Sequence, residues 1–283
     1  MTERFEVTRR FEGKVALITG AARGQGRSEA VRLAQEGADI IAVDICEAVP
    51  TVTYDGVMRA DLAATERAAT ELGRRVVAHQ VDTRDFDGLN EAVSDGVETL
   101  GRLDVVVANA DICSYGLLWE LTEEQFTTMI DINVVGTWHT IKAAVPHMIA
   151  KGNGGAIVMT SSIGGIRGVP WLGHYAASKH AVIGMAKTLA NELGEYNIRV
   201  MLIVPNAVNT PMGTDTTLHA TVAENPTLGA IFMNALPATQ TEPEDVAAAV
   251  TFLASDDGQH MTGSELIMDL GKLGRLPHAV TPA

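Results

Sequence analysis

Two periodicities run along this chain. Lys14-Val15-Ala16-Leu17-Ile18 is a short, unbroken apolar run, the pattern of a strand buried on both faces. A glycine-rich stretch from Thr19 to Gly26 follows. Ala30, Val31, Leu33 and Ala34 then recur at helical spacing, with Gly37 placed to cap the helix. The strand pattern returns at 39–43, 75–81, 103–110, 154–160, 199–204 and 266–268. Helical spacing returns at 61–72, 89–100, 122–149, 175–195 and 244–254. The Thr122/Gln125 capping box opens what reads as one long helix to about Ile149, with Asn133 in its interior. Strand and helix alternate throughout, which predicts parallel βαβ units rather than hairpins.

Three stretches break the alternation. Residues 45–62 read as an insert loop after the second strand. Residues 211–240 read as a partly apolar, mobile lid, and 271–283 as an extended tail. The reading is a single Rossmann-type doubly wound α/β domain over 1–283, with a mostly parallel seven-stranded sheet and helices on both faces.

Composition narrows the class. The chain has 283 residues, 46% hydrophobic and 20% charged, the balance of a protein with a sizeable core. A net charge of −14 argues against nucleic acid and anionic membranes as partners. No apolar run reaches membrane-spanning length, and the charged start Met1-Thr2-Glu3-Arg4 is unlike a signal peptide. Cys46 and Cys113 offer neither a disulfide framework nor metal-ligand spacing, so no metal site is expected and the cytoplasm is the expected compartment.

The glycine-rich turn carries the first chemistry. Strand, tight turn and helix N-terminus aim backbone N–H groups and the positive helix end at one point, which suits a pyrophosphate. Gly20, Gly24 and Gly26, with Arg23 and Gln25, form that turn. Asp44 ends the next strand 18 positions after Gly26. A carboxylate there accepts from ribose hydroxyls and repels a 2′-phosphate, which selects NAD over NADP. Ile45 adjoins it. Asp82, with Thr83, is placed for the adenine edge or, equally, as a helix N-cap.

Taken together, Thr19-Gly-x3-Gly24-x-Gly26, Asn109-Ala110, Asn133, Ser162 and Tyr175-x3-Lys179 resemble the short-chain dehydrogenase/reductase family over roughly residues 12–271. Ser162 stands 13 positions before Tyr175, as in that family. The stretch between Asp44 and Asp82 is longer than the family usually has. It resembles the carveol-dehydrogenase-like, mycofactocin-associated branch, whose members are similar to nicotinoproteins that keep NAD bound through turnover. The resemblance implies an NAD-dependent alcohol dehydrogenase or carbonyl reductase. Asn133, Ser162, Tyr175 and Lys179 would be catalytic, and Asn133 would hold a relay water joined to Lys179. Asn109, Ala110, Tyr175, Lys179, Val208 and Thr210 would contact the cofactor. It also implies a homotetramer and a separate electron acceptor for regeneration.

A phenol of pKa about 10 is a poor base near neutrality, and a cation one helical turn away favours the phenolate. Tyr175 and Lys179 have that spacing. The substrate pocket is expected to be walled by Ile163, Trp171, Leu172, Leu218, Phe232 and neighbours such as Ile166, Ile231 and Met233. An apolar secondary alcohol or ketone follows, a carveol-like cyclic monoterpenoid being the branch-level expectation. A steroid or sugar alcohol is the alternative substrate. An NAD-binding redox sensor or scaffold with little catalysis is the alternative of another class. Two positions depart from the family: Asp111 and Asn206 stand where glycine is usual. Asp and Asn tolerate left-handed backbone angles, so both turns can persist. Asp111 would add negative charge near the nicotinamide end, favouring oxidised NAD.

Overall fold

The computed structural model describes residues 9–225 and 232–274, apart from the side chain of His219. Among these, seven strands form one sheet: β1 (Val15–Thr19), β2 (Asp39–Asp44), β3 (Val76–Gln80), β4 (Val105–Ala108), β5 (Gly155–Thr160), β6 (Ile198–Pro205) and β7 (Glu265–Met268). Their order is β3-β2-β1-β4-β5-β6-β7, and every pairing is parallel. The chain therefore reverses direction across the sheet between β1 and β4. That switch leaves a crevice at the strands' C-terminal edge, where ligands of such sheets bind.

Among the described residues, eight α-helices connect the strands: α1 (Gly24–Gln35), α2 (Arg59–Glu71), α3 (Phe86–Leu100), α4 (Glu123–Ile130), α5 (Thr137–Lys151), α6 (Gly173–Glu192), α7 (Thr216–Glu224) and α8 (Pro243–Ala254). Each face of the sheet carries its own apolar core. Leu17, Ile41, Val106 and Ile157 pack with α3, α5 and α6; Ala16, Ile18, Ile40 and Val107 pack with α1 and α8. β1 and β4 are buried along their whole length, as their unbroken apolar runs require.

Several expectations are corrected. The segment read as one helix from 122 to 149 begins at the Thr122 cap but passes through a π-helical turn, Asp131–Gly136, between α4 and α5. Asn133 lies in that turn. Helix α1 starts at Gly24, so the glycines at 24 and 26 are already its first turn. Asp85, not Asp82, caps α3, its carboxylate accepting from Gly88 N–H at 3.2 Å. The 211–240 stretch contains helix α7, capped by Asp215. The tail, expected to be extended from Gly271, begins as a turn in which Gly271 takes φ +76°. Its continuation beyond Gly274 and the pocket expectation at Ile231 lie outside the described residues.

Candidate active site

The end of β1 and the end of β4 are pinned to each other at the crevice. Thr19 Oγ1 accepts from the N–H groups of Asn109 and Ala110, each at 3.2 Å, and Asn109 Nδ2 donates to Thr19 O at 3.1 Å. Little space remains beside them. A Cβ at Gly20 would lie 3.0 Å from Ala110 Cα, and one at Gly26 would run into the Gly20 carbonyl and lie 2.8 Å from Asn109 Nδ2. Gly26 therefore serves packing of the turn, while Gly20 and Gly24 face the groove.

That groove is lined by Gly20, Arg23, Gly24, Gln25, Asp44, Ile45, Asp82, Thr83, Asn109, Ala110 and Thr210, all expected cofactor positions. Asp44 sits at its far end, buried. Its carboxylate accepts from Ala22 N–H at 3.0 Å and Cys46 N–H at 3.1 Å. Burial pushes its pKa up, and those two hydrogen bonds and the Arg23 charge pull it back. The unused lone pairs suit a diol. Asp82 is held by the Arg84 guanidinium through both oxygens. A helix N-terminus, a glycine cradle and a buried acid at the end of the second strand fit an NAD molecule.

The insert folds over this groove. Val49 and Val52 pack on Ile112, Met129 and Ile132, and Tyr54 lines the groove wall. Arg23 donates to the carbonyls of Asp55 at 2.6 Å and Gly56 at 3.3 Å, tying the glycine turn to the insert. Cys113 N–H donates to the Tyr54 hydroxyl at 3.3 Å. Thr53 is hydrogen-bonded to Asp215 and to Thr217, at the start of α7, so the insert and the lid meet. Tyr54 was not anticipated; only its place in an over-long connection could have marked it.

A second pocket opens beside the first. Ser162, Ile163, Leu172, Tyr175, Leu218 and Phe232 line it, and so does Val208. Gln25, Asp111, Thr210 and Met212 line both pockets and mark their seam. Trp171 does not line it. Its backbone is left-handed at φ +65°, and its carbonyl accepts from Gly116 N–H at 2.9 Å. Ile166 and Met233 are surface residues outside both linings.

Four site residues converge from β5, the π turn and α6. Ser162 follows β5, and its Oγ accepts from Gly164 N–H at 3.2 Å. Tyr175 lines the same pocket as Ser162, whose side chain pulls the Tyr175 pKa down. Lys179, one turn along α6, is buried with Nζ 5.5 Å from the Tyr175 ring centre. It donates to Thr160 O at 2.9 Å and to Asp111 Oδ2 at 2.5 Å. Burial first, and then the Asp111 charge, hold the Tyr175 phenol well above its ordinary pKa, against the pull of Ser162. Asn133 is buried, with its Nδ2 near Ile112 O at 2.9 Å and Met129 Sδ and Ser178 Oγ at 3.1 Å, and its Oδ1 accepting from Ile112 N–H at 2.9 Å. Its bonds to both the N–H and the carbonyl of Ile112 hold the backbone next to Asp111.

Three groups were missed. Glu29, on the buried stripe of α1, is fully enclosed with neither carboxylate oxygen bonded, and burial together with the nearby Asp111 charge raises its pKa to about 8. Its position among Gly26, Ala30 and Leu33 at helical spacing could have revealed it. Lys272 and Arg167 both line the second pocket.

The comparisons agree with this geometry. Residues 20–272 match a family model described as enoyl-(acyl carrier protein) reductase. A putative short-chain type dehydrogenase/reductase of Mycolicibacterium smegmatis is 49% identical, covering 93% of this chain and 98% of that one. The (-)-trans-carveol dehydrogenase of Rhodococcus erythropolis is 43% identical over 93% of this chain and 98% of its own. The crystal structure of carveol dehydrogenase from Mycobacterium avium in complex with NAD superposes with a TM-score of 0.90 at 46% identity, covering 94% of this chain and 99% of that one. On this fold, this groove and these relatives, the chain belongs to the short-chain dehydrogenase/reductase family and is an NAD-dependent oxidoreductase.

Proposed function

We propose that the protein interconverts a largely apolar secondary alcohol and its ketone at the seam of the two pockets, a carveol-like cyclic alcohol being the nearest named model. The observation that carries this is the gathering of Ser162 and Tyr175 in the second pocket, with Lys179 Nζ 5.5 Å from the Tyr175 ring centre, where that pocket adjoins the groove. Bound NAD supplies the acceptor or donor of hydride. Gly20, Gly24 and the α1 N-terminus hold its pyrophosphate, Asp44 its adenosine ribose, and Asn109, Ala110, Val208 and Thr210 flank the rest. Ser162 Oγ orients the substrate oxygen. Tyr175 gives its proton to the carbonyl oxygen in reduction and takes it from the hydroxyl in oxidation. Because burial and Asp111 favour the phenol, Tyr175 is poised as the acid, and ketone reduction is the easier direction near neutrality. Asn133 and Lys179 support the pair by position and charge.

The insert, tied to the glycine turn and to α7, supports retention of NAD between turnovers, as in mycofactocin-associated enzymes, with a separate electron acceptor for regeneration. Exposed Phe126 and Trp138, on α4 and α5, support association of those helices between copies, and a cytoplasmic homotetramer is the assembly proposed. One observation favours a second reading, an NAD-binding sensor with little catalysis: Lys179 is already paired with Asp111. Native mass spectrometry followed by assay against carveol, carvone and other cyclic alcohols and ketones separates the two. Co-purified NAD with turnover supports the enzyme. NAD without turnover of any alcohol or ketone supports the sensor.

A further inference from the structure

The pocket that holds Ser162 and Tyr175 is not wholly apolar. Lys272 lies in its wall, 7% exposed, with Nζ 5.2 Å from the centre of the Phe232 ring. Among the described residues no carboxylate lies within ion-pair distance of it. Its hydrogen-bond partner is the side-chain carbonyl of Asn206, at 3.1 Å. The nearby carboxylate of Asp269 is engaged elsewhere, accepting from the N–H groups of Gly271 at 2.8 Å and Leu273 at 2.6 Å, which closes the turn that carries Lys272. Arg167 lines the same pocket, and its charge acts against the Lys272 ammonium.

Burying an ammonium without a counter-charge is costly, and a lysine ordinarily snorkels to water. Here the side chain is held inward. Asn206 is itself fixed, its Nδ2 donating to Asn234 Oδ1 at 2.9 Å. Asn206 stands where the family has glycine, so the group that aims the lysine comes with this departure. Burial and Arg167 push the Lys272 pKa down to about 8, the mark of a cation that lacks its partner. In a chain of net charge −14, two cations thus share one wall of a cavity. Neither lines the cofactor groove, so an anion drawn to Lys272 is not the pyrophosphate.

We propose that Lys272, with Arg167 beside it, holds a carboxylate of the substrate, so that the preferred substrate is a secondary alcohol or ketone with an apolar body and a carboxylate. This rests on the alcohol–ketone reading above and narrows it.

The test uses the full-length, NAD-loaded protein and cyclic ketones, each as free carboxylate and as methyl ester, 4-oxocyclohexanecarboxylate among them. The ratio of kcat/KM for acid over ester is compared among the parent, Lys272→Met and Lys272→Arg. Cyclohexanecarboxylate, which cannot react, is titrated calorimetrically into each. The expected result is a parent ratio well above one. It falls roughly ten- to a hundredfold in Lys272→Met, the range for a charged hydrogen bond, and is largely kept in Lys272→Arg, with a parallel loss of cyclohexanecarboxylate affinity in the Met variant. NAD affinity in each variant reports intact folding. A parent that prefers esters, or a ratio and affinity that Lys272→Met leaves unmoved, overturns the inference while the alcohol–ketone reading stands. Carboxylate binding that depends on Lys272, without turnover of any ketone, keeps the anion site and removes that reading instead.

Discussion

Lys179 Nζ and Asp111 Oδ2 lie 2.5 Å apart, the lysine side chain buried and the aspartate 12% exposed. The pair joins α6 to the loop after β4 at the seam between groove and pocket. A lysine free of this partner would bring its full charge to bear on Tyr175 and favour the phenolate. Asp111 cancels part of that charge and raises the Tyr175 pKa.

Removing that charge should change the pH dependence of catalysis. In Asp111→Asn, the midpoint of the rising limb for alcohol oxidation, which needs the phenolate, should move to lower pH by about one unit or more. Ketone reduction, which needs the phenol, should fail at a lower pH than in the parent. Both follow from kcat/KM profiles for the two directions. Unshifted profiles would separate Asp111 from Tyr175. In Asp111→Gly, bound NAD should also shift toward its reduced form, read from absorbance of the purified protein.

The insert should govern cofactor release. Arg23→Ala removes two hydrogen bonds to the insert carbonyls, and Tyr54→Phe removes the acceptor for Cys113 N–H. Release of NADH, followed by stopped-flow fluorescence, should speed up about tenfold in either variant, the effect of about one hydrogen bond. Release rates equal to the parent's would mean that the insert only covers the groove.

Glu29 should make stability depend on pH. Its ordinary pKa of 4.5 rises to about 8 on folding. Between those values the unfolded chain has lost this proton and the folded one keeps it, so stability falls as pH rises through that window. The slope is up to about 1.4 kcal/mol per pH unit. Glu29→Gln should remove the slope and be the more stable protein at pH 8, on the order of a few kcal/mol. Chemical denaturation at pH 5 and pH 8 checks this; an equal fall for both proteins would contradict it.

Carboxylate binding should weaken as pH rises above about 8, because Lys272 loses its proton there while Asp269 remains bound to its own turn. Calorimetric titration of cyclohexanecarboxylate from pH 6 to pH 10 measures it, and an affinity that does not vary across that range would contradict it.

Much of this was legible in the residues because one physical demand leaves one mark. β1 and β4 are buried on both faces, and nothing but an unbroken apolar run satisfies that. Gly20 and Gly24 take φ of +70° and +56°, which other residues rarely adopt, so they appear as glycine at fixed spacing. Other features leave no such mark. The π turn at Asp131–Gly136 is a shift in hydrogen bonding that no residue type announces. Asp111 and Lys179 meet across 68 positions, and only the folded sheet brings them together. Lys272 follows a glycine in a polar-looking tail, where a lysine reads as solvated until the turn places it against Phe232. Trp171 looked like a pocket wall by composition, but it stands outside the lining, between Val169 and Leu172, which belong to it.

The central claim is that Tyr175 transfers the substrate proton beside a bound NAD. A single turnover of NADH-loaded protein with a cyclic ketone, followed by the loss of NADH absorbance, tests it in the parent and in Tyr175→Phe. The account predicts rapid oxidation of NADH in the parent and a loss of a hundredfold or more in the variant with NADH binding unchanged. Oxidation at the parental rate in Tyr175→Phe would contradict it.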